Sequence, residues 1–129
     1  MTAFLLDTHA LLWAVAAPSR LSRRALRIIR DDTNDLLVSA ASAWEVSTKY
    51  RLGRLPGAEP LLDGWDETLA VLHARSVPIA HRVALRGGSY ASPHRDPFDR
   101  LLAAEAELSG VGLITSDPVF AEFPVRVIW

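Results

Sequence analysis

The sequence predicts an α/β fold in which a short, mostly parallel five-stranded sheet carries helices on both faces. Five short apolar segments alternate with longer segments of helical periodicity. Strands without polar alternation are typical of a parallel sheet that is covered on both sides. A chain of 129 residues with 50% hydrophobic content is long enough for one domain with a sizeable core. We therefore expect residues 1–129 to form a single three-layer sandwich.

The individual elements follow from local patterns in chain order. Continuous apolar runs predict strands, and apolar residues recurring every three or four positions predict helices that end near glycine or proline. The predicted strands cover residues 3–6, 36–38, 77–79, 112–115 and 125–128. The predicted helices cover residues 21–30, 40–51, 61–74, 79–85 and 97–108.

Composition excludes several classes of function. A net charge of −1 argues against nucleic-acid binding by bulk positive charge, and the lack of cysteine excludes a disulfide scaffold, a thiol nucleophile and a zinc–thiolate site. The apolar segment 3–17 lacks a basic start and contains Asp7 and His9, unlike a signal peptide. No segment has the roughly 18 uninterrupted apolar residues of a membrane span. We expect a cytoplasmic protein without membrane contact.

Acidic residues lie where predicted strands lead into helices. Asp7 follows the first strand, Glu45 lies in the first turns of the helix after the second strand, and Asp117 follows the fourth. Asp96 and Asp99 begin the helix before that fourth strand. Because ligands of α/β sheets bind at the carboxyl ends of parallel strands, these acids are expected near one edge.

Each of these acids, taken alone, also fits a helix cap. Ser42 and Glu45 have the spacing of a capping box, and Asp96 and Asp117 each precede a proline. Asp7 fits this explanation least, because it interrupts an apolar run. Four carboxylates at one edge would repel one another and raise their pKa values. An oxygen-only site of this kind favours Mg²⁺ or Mn²⁺.

Four segments, in order along the whole chain, resemble the PIN-domain ribonucleases, specifically the VapC-type toxins of bacterial type II toxin–antitoxin systems. They are LLDTHALLW at 5–13, SAWEVSTK at 42–49 with LGRL at 52–55, HRDPFDRLLAAEA at 94–106, and LITSD at 113–117 followed by Phe120. One such motif would be weak, but four at suitable distances are specific.

The resemblance implies a PIN-like sandwich and an endoribonuclease that depends on Mg²⁺ or Mn²⁺. Asp7 and Asp99 match the acids that hold the metal most directly, and Glu45 and Asp117 match the other two, which complete the pocket. Between the two aspartates of the third segment, we take Asp99 as the ligand and Asp96 as a cap with a secondary role. The resemblance also implies an antitoxin partner and a homodimer.

The proposed reaction is in-line attack of a metal-activated water on an RNA phosphodiester. Glu45 or Asp117 is expected to orient or deprotonate that water. The family mechanism implies products with a 5′-phosphate and a 3′-hydroxyl. Thr8 and Thr115 lie beside the acids, either to hydrogen-bond metal-bound waters or as ordinary strand-end threonines.

Arginines provide candidate phosphate contacts in an almost neutral chain. One group forms a single stripe if it is helical, and it is either a solvated face or a ridge that contacts RNA. Its members are Arg20, Arg23, Arg24, Arg27 and Arg30. Arg95 and Arg100 flank the Asp96–Asp99 segment, as phosphate contacts or as salt-bridge partners.

Two other functions compete with the nuclease. A phosphate-accepting domain would also place an aspartate after the first strand. However, His9 occupies the position where an aspartyl phosphatase needs a second acid, and a receiver domain wants a lysine near its end, whereas the single lysine is Lys49. The second alternative is a catalytically degenerate PIN-like module that only binds a partner protein or RNA.

Overall fold

The computed structural model describes residues 2–129, in which strands and helices alternate. The strands are β1 (Ala3–Leu6), β2 (Asp35–Ser39), β3 (Ala74–Val77), β4 (Gly112–Ile114) and β5 (Val127–Ile128). The helices are α1 (Thr8–Ala16), α2 (Arg23–Arg30), α3 (Ala40–Arg51), α4 (Glu59–Asp63), α5 (Trp65–Val71), α6 (His81–Ser89) and α7 (Pro97–Ser109). Two short 3₁₀ helices, Pro18–Arg20 and Pro118–Glu122, follow α1 and β4.

The sheet has the strand order β3-β2-β1-β4-β5, and all four neighbouring pairs are parallel. In the centre, Leu5 of β1 lies opposite Leu37 of β2 and Leu113 of β4. The predicted five-stranded α/β sheet is therefore confirmed, and it is parallel throughout rather than mostly parallel.

Alternate side chains of the central strands pack into two separate apolar layers. Phe4 and Leu6 pack on one face with residues of α1, α2 and α5. Leu5 points to the opposite face and packs with residues of α6 and α7, among them Val83 and Leu102. This alternation is the period of two expected for a strand, and it produces the three-layer sandwich.

Local signals explain the helices nearest the sheet edge. Ser39 caps α3 by accepting a hydrogen bond from the Ala41 N–H at 3.0 Å. Asp96 caps α7, Pro97 occupies its first turn, and Gly110 ends it with a φ of +66°. The left-handed conformation at that last position favours glycine, because it has no Cβ. The predicted helix at 40–51 has the observed bounds, and that at 97–108 is one residue shorter than α7.

The third strand lies three residues earlier than predicted. The apolar run at 77–79 predicted a strand there, whereas β3 covers Ala74–Val77 and ends before Pro78. β3 is an edge strand in which Arg75 and Ser76 are exposed, so it has no apolar run to reveal it. Its place in the sheet is supported by the ion pair between Arg75 and Asp35 of β2 at 2.9 Å.

Two predicted helices also differ from the structure. The single helix predicted for residues 61–74 is divided at Gly64, whose backbone (φ −153°, ψ 71°) is not helical. The helix predicted at 79–85 begins at His81 and runs to Ser89, and its Gly87 packs against the Arg100 backbone of α7. A Cβ at Gly87 would lie 3.1 Å from the Arg100 carbonyl oxygen, so a larger residue there would require the neighbouring backbone to move by a few tenths of an ångström.

Within residues 2–129, no helix is both long enough and apolar enough to cross a lipid bilayer.

Candidate active site

Asp7 is a buried carboxylate at the point where β1 ends and α1 begins. Its backbone N–H donates to the Ile114 carbonyl of β4 at 3.1 Å, and its Oδ1 accepts from the Ala10 N–H at 2.7 Å. Burial raises the pKa of Asp7 and the charge of Glu45 adds to this, whereas the Thr115 hydroxyl and the Ala10 N–H work in the opposite direction. Asp7 therefore caps a helix and is also a poorly solvated acid.

Glu45 does not form the capping box that its spacing from Ser42 allowed as an alternative. The N-cap of α3 is Ser39, three residues before Ser42, so Ser42 already lies inside the helix. Glu45 is 3% exposed. Its carboxylate contacts the side chains of Thr8 and Lys49 rather than the backbone N–H groups at the start of α3. Capping thus gives no account of this glutamate.

The partners of Glu45 connect it to β1 and to a cation. The Thr8 hydroxyl donates to Glu45 Oε1 at 2.5 Å and lies 3.0 Å from Ser42 Oγ. The Lys49 ammonium, one helical turn further along α3, pairs with Glu45 Oε2. Thr8 follows Asp7 directly, so the pair Asp7–Thr8 and the helix α3 meet through buried hydrogen bonds.

The third segment divides its two aspartates between different tasks. Asp96 Oδ1 accepts from the backbone N–H groups of Phe98 and Asp99, at 2.8 and 3.4 Å, as a helix cap does. Asp99 Oδ2 instead lies 2.8 Å from His94 Nε2. This division fits our choice of Asp99 over Asp96 as the acid that faces a ligand.

Asp99 has a perturbed acidity with several causes. Its pKa is raised to about 6. Burial is the largest cause and the charges of Asp96 and Glu45 add to it, whereas the hydrogen bond with His94 works in the opposite direction. Glu45 and Asp99 lie on α3 and α7, two helices that contact each other. A carboxyl with a raised pKa in such a group is a typical feature of a functional site.

Lys49 and His94 are two residues that the sequence analysis did not assign to the site. Burial disfavours the charged form of Lys49, but the hydrogen bond and charge of Glu45, together with Asp96 and Asp99, raise its pKa overall. Lys49 lies four residues after Glu45, which is a helical pair spacing that could have revealed it. His94 comes from an irregular loop, and no spacing rule points to it.

Asp117 lies at the rim, in a different position from Glu45 and Asp99. It is exposed, it caps the 3₁₀ helix after β4 through the Val119 N–H at 3.0 Å, and its own N–H donates to Thr115 Oγ1 at 3.0 Å. Asp117 and Asp7 line one open pocket of about 330 Å³. The structure therefore places Asp7 between Asp117 on one side and the Glu45 group on another.

Within residues 2–129 the acids do not form one tight cluster. In the part of the chain that the structure describes, no three histidine or acidic side chains converge closely enough to hold a metal ion together. The available ligands are nevertheless hard carboxylate oxygens. A cation, the Lys49 ammonium, already forms an ion pair with Glu45, and the charge of Asp99 also favours its protonated form. This chemistry fits Mg²⁺ or Mn²⁺.

Arg100 has a different environment from the one that a phosphate contact needs. Its guanidinium directs all five N–H groups at carbonyls of the last turn of α6 and of the loop that follows it, so no donor is left for a phosphate. Nε donates to Gly87 (2.8 Å), Nη1 to Ser92 (3.0 Å) and His94 (2.7 Å), and Nη2 to Tyr90 (2.6 Å) and Gly88 (3.4 Å). Arg100 therefore holds the loop that carries His94.

The predicted arginine stripe is divided in two. Arg20 belongs to the first 3₁₀ helix, and its guanidinium lies 4.9 Å from the centre of the Trp13 ring. The others are exposed on α2, namely Arg23, Arg24, Arg27 and Arg30. Arg95 is exposed and takes part in none of the hydrogen bonds or ion pairs found within residues 2–129.

The raised pKa of Asp99 leads to a testable pH dependence of the metal-free protein. A folded-state pKa of about 6, above the ordinary 3.8, means that the native state holds the proton more tightly than the unfolded state. Ionising Asp99 therefore lowers the free energy of unfolding as pH rises through this interval, by at most about 3 kcal/mol. We expect the free energy of unfolding of Asp99→Asn, measured by urea denaturation with EDTA present, to decline less than that of the wild type between pH 4 and pH 7.

The exposed Asp66 of α5 offers a matched control. Asp66→Asn makes the same chemical change away from the acids and should retain the wild-type pH dependence. Equal slopes for the wild type and Asp99→Asn would contradict the assignment of a raised pKa to Asp99.

Comparison with known proteins identifies the family of the chain. The PIN domain family matches residues 4–125. The chain is 37% identical over 118 residues to the protein named Ribonuclease VapC22 of Mycobacterium tuberculosis, covering 91% of this chain and 88% of that protein.

Two solved structures share the fold. VapBC2 from Rickettsia felis, bound to a DNA fragment from their promoter, superposes with a TM-score of 0.70 at 14% identity, covering 98% of both chains. A toxin–antitoxin complex from Klebsiella pneumoniae gives a TM-score of 0.61 at 21% identity and covers 97% of this chain and 95% of that one. The family match and the relative at 37% identity confirm the resemblance found in the sequence: the chain belongs to the PIN-domain family, among its VapC-type members.

Proposed function

We propose that this protein is an endoribonuclease dependent on Mg²⁺ or Mn²⁺ and that it is the toxin of a toxin–antitoxin pair. The observation that carries the proposal is the group of acids at the carboxyl edge of the sheet. Burial raises the pKa of Asp7 and of the partly buried Asp99, and the charge of Glu45 adds to the rise in both. The relative at 37% identity is named a ribonuclease, which supports RNA as the substrate class.

Asp7, Asp99 and Asp117 are the residues that would hold the metal ion. Because no three acidic side chains of residues 2–129 converge closely enough to hold it together, they would contact it in part through its coordinated waters, several of which Mg²⁺ typically keeps. Once bound, the ion lowers the pKa of a coordinated water and neutralises charge on the phosphate. Glu45 would orient that water or accept its proton, and the Thr8 hydroxyl fixes Glu45 for this task. His94 orients Asp99 through their hydrogen bond.

The reaction that these residues support is in-line hydrolysis of a phosphodiester. The water oxygen forms a bond to phosphorus, the bond from phosphorus to the 3′ oxygen breaks, and a proton goes to that oxygen. The products are a 5′-phosphate and a 3′-hydroxyl. Thr115 helps to place Asp7 and Asp117, and the exposed Arg95 is available for a phosphate.

Arg20, Arg24 and Arg27 remain candidate contacts for the RNA backbone. All three are exposed, and a nearly neutral protein needs such local cations to bind a polyanion. Arg100 is left out of this set, because its five N–H groups already donate to backbone carbonyls of α6 and the following loop.

The partner proteins that we propose are a cognate antitoxin and a second copy of the chain, acting in the cytoplasm. A structural neighbour is itself a toxin–antitoxin complex. Large apolar side chains that are exposed in this chain provide surface for such contacts, with Val71 79% exposed and Leu85 70% exposed.

A second candidate is a degenerate PIN-like module that binds a partner or RNA without cleaving it. The observation that favours it is that no three histidine or acidic side chains within residues 2–129 converge closely enough to hold a metal ion. In that case Lys49 would serve as a permanent counter-charge of the acid group.

A cleavage assay separates the two candidates. The purified protein, without antitoxin, is incubated with labelled structured and single-stranded RNAs in Mg²⁺, in Mn²⁺ and in EDTA. We expect cuts with 5′-phosphate ends in either metal and none in EDTA, because the acids alone cannot neutralise the phosphate. Asp66→Asn should cleave as the wild type does.

Metal binding, measured by calorimetry on the same preparation, completes the comparison. Cleavage that persists unchanged in EDTA would overturn the metal-dependent mechanism. Absence of both cleavage and metal binding, with partner or RNA binding retained, would establish the degenerate module instead.

A further inference from the structure

An open pocket adjoins the acids on the side of α1 and the β4 end. It has a volume of about 330 Å³, within the range of small-molecule sites. Its lining combines the two carboxylates with aromatic and polar side chains. The lining residues are Asp7, His9, Trp13, Ser116, Asp117 and Pro118. We call it the Trp13 pocket.

The aromatic wall of this pocket is held in place by its neighbours. His9 and Trp13 are one turn apart on α1, with ring centres 5.8 Å apart and planes tilted by 53°. The ring centre of Trp129 also lies 5.8 Å from that of Trp13, with the two planes tilted by 59°. The exposed guanidinium of Arg20 lies 4.9 Å from the Trp13 ring centre. Trp13 is therefore a rigid, partly exposed surface beside the acids.

The chemistry of the lining distinguishes a base from a phosphate. Two carboxylates face the pocket, so in the metal-free protein a phosphate inside it would be repelled. An uncharged, flat, aromatic group would instead find ring and guanidinium surfaces for stacking. His9, Ser116 and Asp117 offer hydrogen-bonding groups to the edge of such a ring.

We infer that the Trp13 pocket is a subsite for a nucleobase of single-stranded RNA, from a nucleotide next to the cleaved phosphate. The inference rests on the proposed function, because Asp7 and Asp117 are the acids proposed to act on that phosphate. Arg20, at the outer side of Trp13, then covers the base or pairs with the next phosphate of the strand. The pocket thereby selects unpaired RNA, since a stacked duplex base cannot enter it.

The binding test uses metal-free protein, so that it does not depend on cleavage. The indole N–H signals of the tryptophans are followed by NMR in EDTA while a single-stranded tetranucleotide is added. We expect the Trp13 signal, assigned with Trp13→Phe, to shift, and that of Trp65 to stay. Trp65 donates to Ser76 at 2.7 Å and does not line the pocket.

Variants at the pocket then measure its contribution. Trp13→Ala should weaken tetranucleotide binding about tenfold or more, as expected for loss of a stacking surface. Because Trp13 also packs against the core, the exposed His9→Ala and Arg20→Ala are made as well, with weakening of about threefold or more expected for each. In cleavage assays all three should raise KM and change the preferred base while kcat changes little. Trp65→Phe should match the wild type.

The outcomes separate this inference from the proposed function. If the protein cleaves RNA, but the Trp13 signal does not move and His9→Ala and Arg20→Ala keep the wild-type KM and base preference, the subsite is overturned and the nuclease stands. If no RNA is cleaved, yet the Trp13 signal shifts and the variants bind more weakly, the subsite stands and the proposed function fails.

Discussion

Replacing Asp7 by asparagine is expected to abolish RNA cleavage and to leave the metal-free protein at least as stable as the wild type. Asparagine keeps a side-chain oxygen that can accept the Ala10 N–H, and it is as good an N-cap as aspartate. It also removes a buried charge whose pKa is raised by desolvation. The loss of a charged metal ligand should lower the cleavage rate by about 10³-fold or more.

Two measurements check this expectation. Initial cleavage rates in Mg²⁺ are compared among wild type, Asp7→Asn and the control Asp66→Asn, and urea unfolding is measured for all three in EDTA at pH 7. A variant that still cleaves at more than a tenth of the wild-type rate would remove Asp7 from the site. A large drop in stability would mean that its charged form is needed for folding instead.

Removal of the Arg100 guanidinium should have the largest effect on stability. Its five N–H groups satisfy two carbonyls at the end of α6 and three of the loop between α6 and α7. Arg100→Lys keeps the charge but not the fork of donors, and Arg100→Ala loses both. We expect the free energy of unfolding to fall by about 2–4 kcal/mol, with lysine recovering only a small part.

The same substitution should also reduce cleavage. Arg100 holds the loop that contains His94, and His94 in turn orients Asp99 through their hydrogen bond. Arg82→Ala on the exposed face of α6 is the matched control for stability and should change it little. A wild-type stability for Arg100→Ala would contradict the loop-holding role. Retained stability together with weaker RNA binding would return Arg100 to its predicted place among the phosphate contacts.

Most of the sheet and the helices could be predicted, because their signals are local. The strand β1 and the helix α3 have the predicted bounds, since an uninterrupted apolar run and a regular helical pattern each lie in one stretch of chain. The edge strand β3 was misplaced for the opposite reason. Half of its side chains face solvent, so its strand character depends on pairing with β2, which is distant in sequence.

The candidate site was predictable in its residue types and less so in its contacts. Acids at strand ends indicated Asp7, Glu45, Asp99 and Asp117. The assignment of Asp96 to a cap is a local matter and agrees with the structure. The alternative that Glu45 belongs to a capping box does not hold. A local spacing rule could not anticipate that Thr8, 37 residues earlier, donates a hydrogen bond to the Glu45 carboxylate.

The family, the parallel α/β architecture and the acids at the strand ends can be inferred from the amino-acid sequence alone, because their signals lie in short, contiguous stretches of residues. The partners of those side chains became known only with the fold. Lys49 pairs with Glu45, His94 contacts Asp99, and Arg100 donates to five backbone carbonyls of α6 and the following loop. Hydrogen bonds and ion pairs of buried groups depend on what the fold brings within about 3 Å, and that distance is set by packing between elements rather than by spacing along the chain.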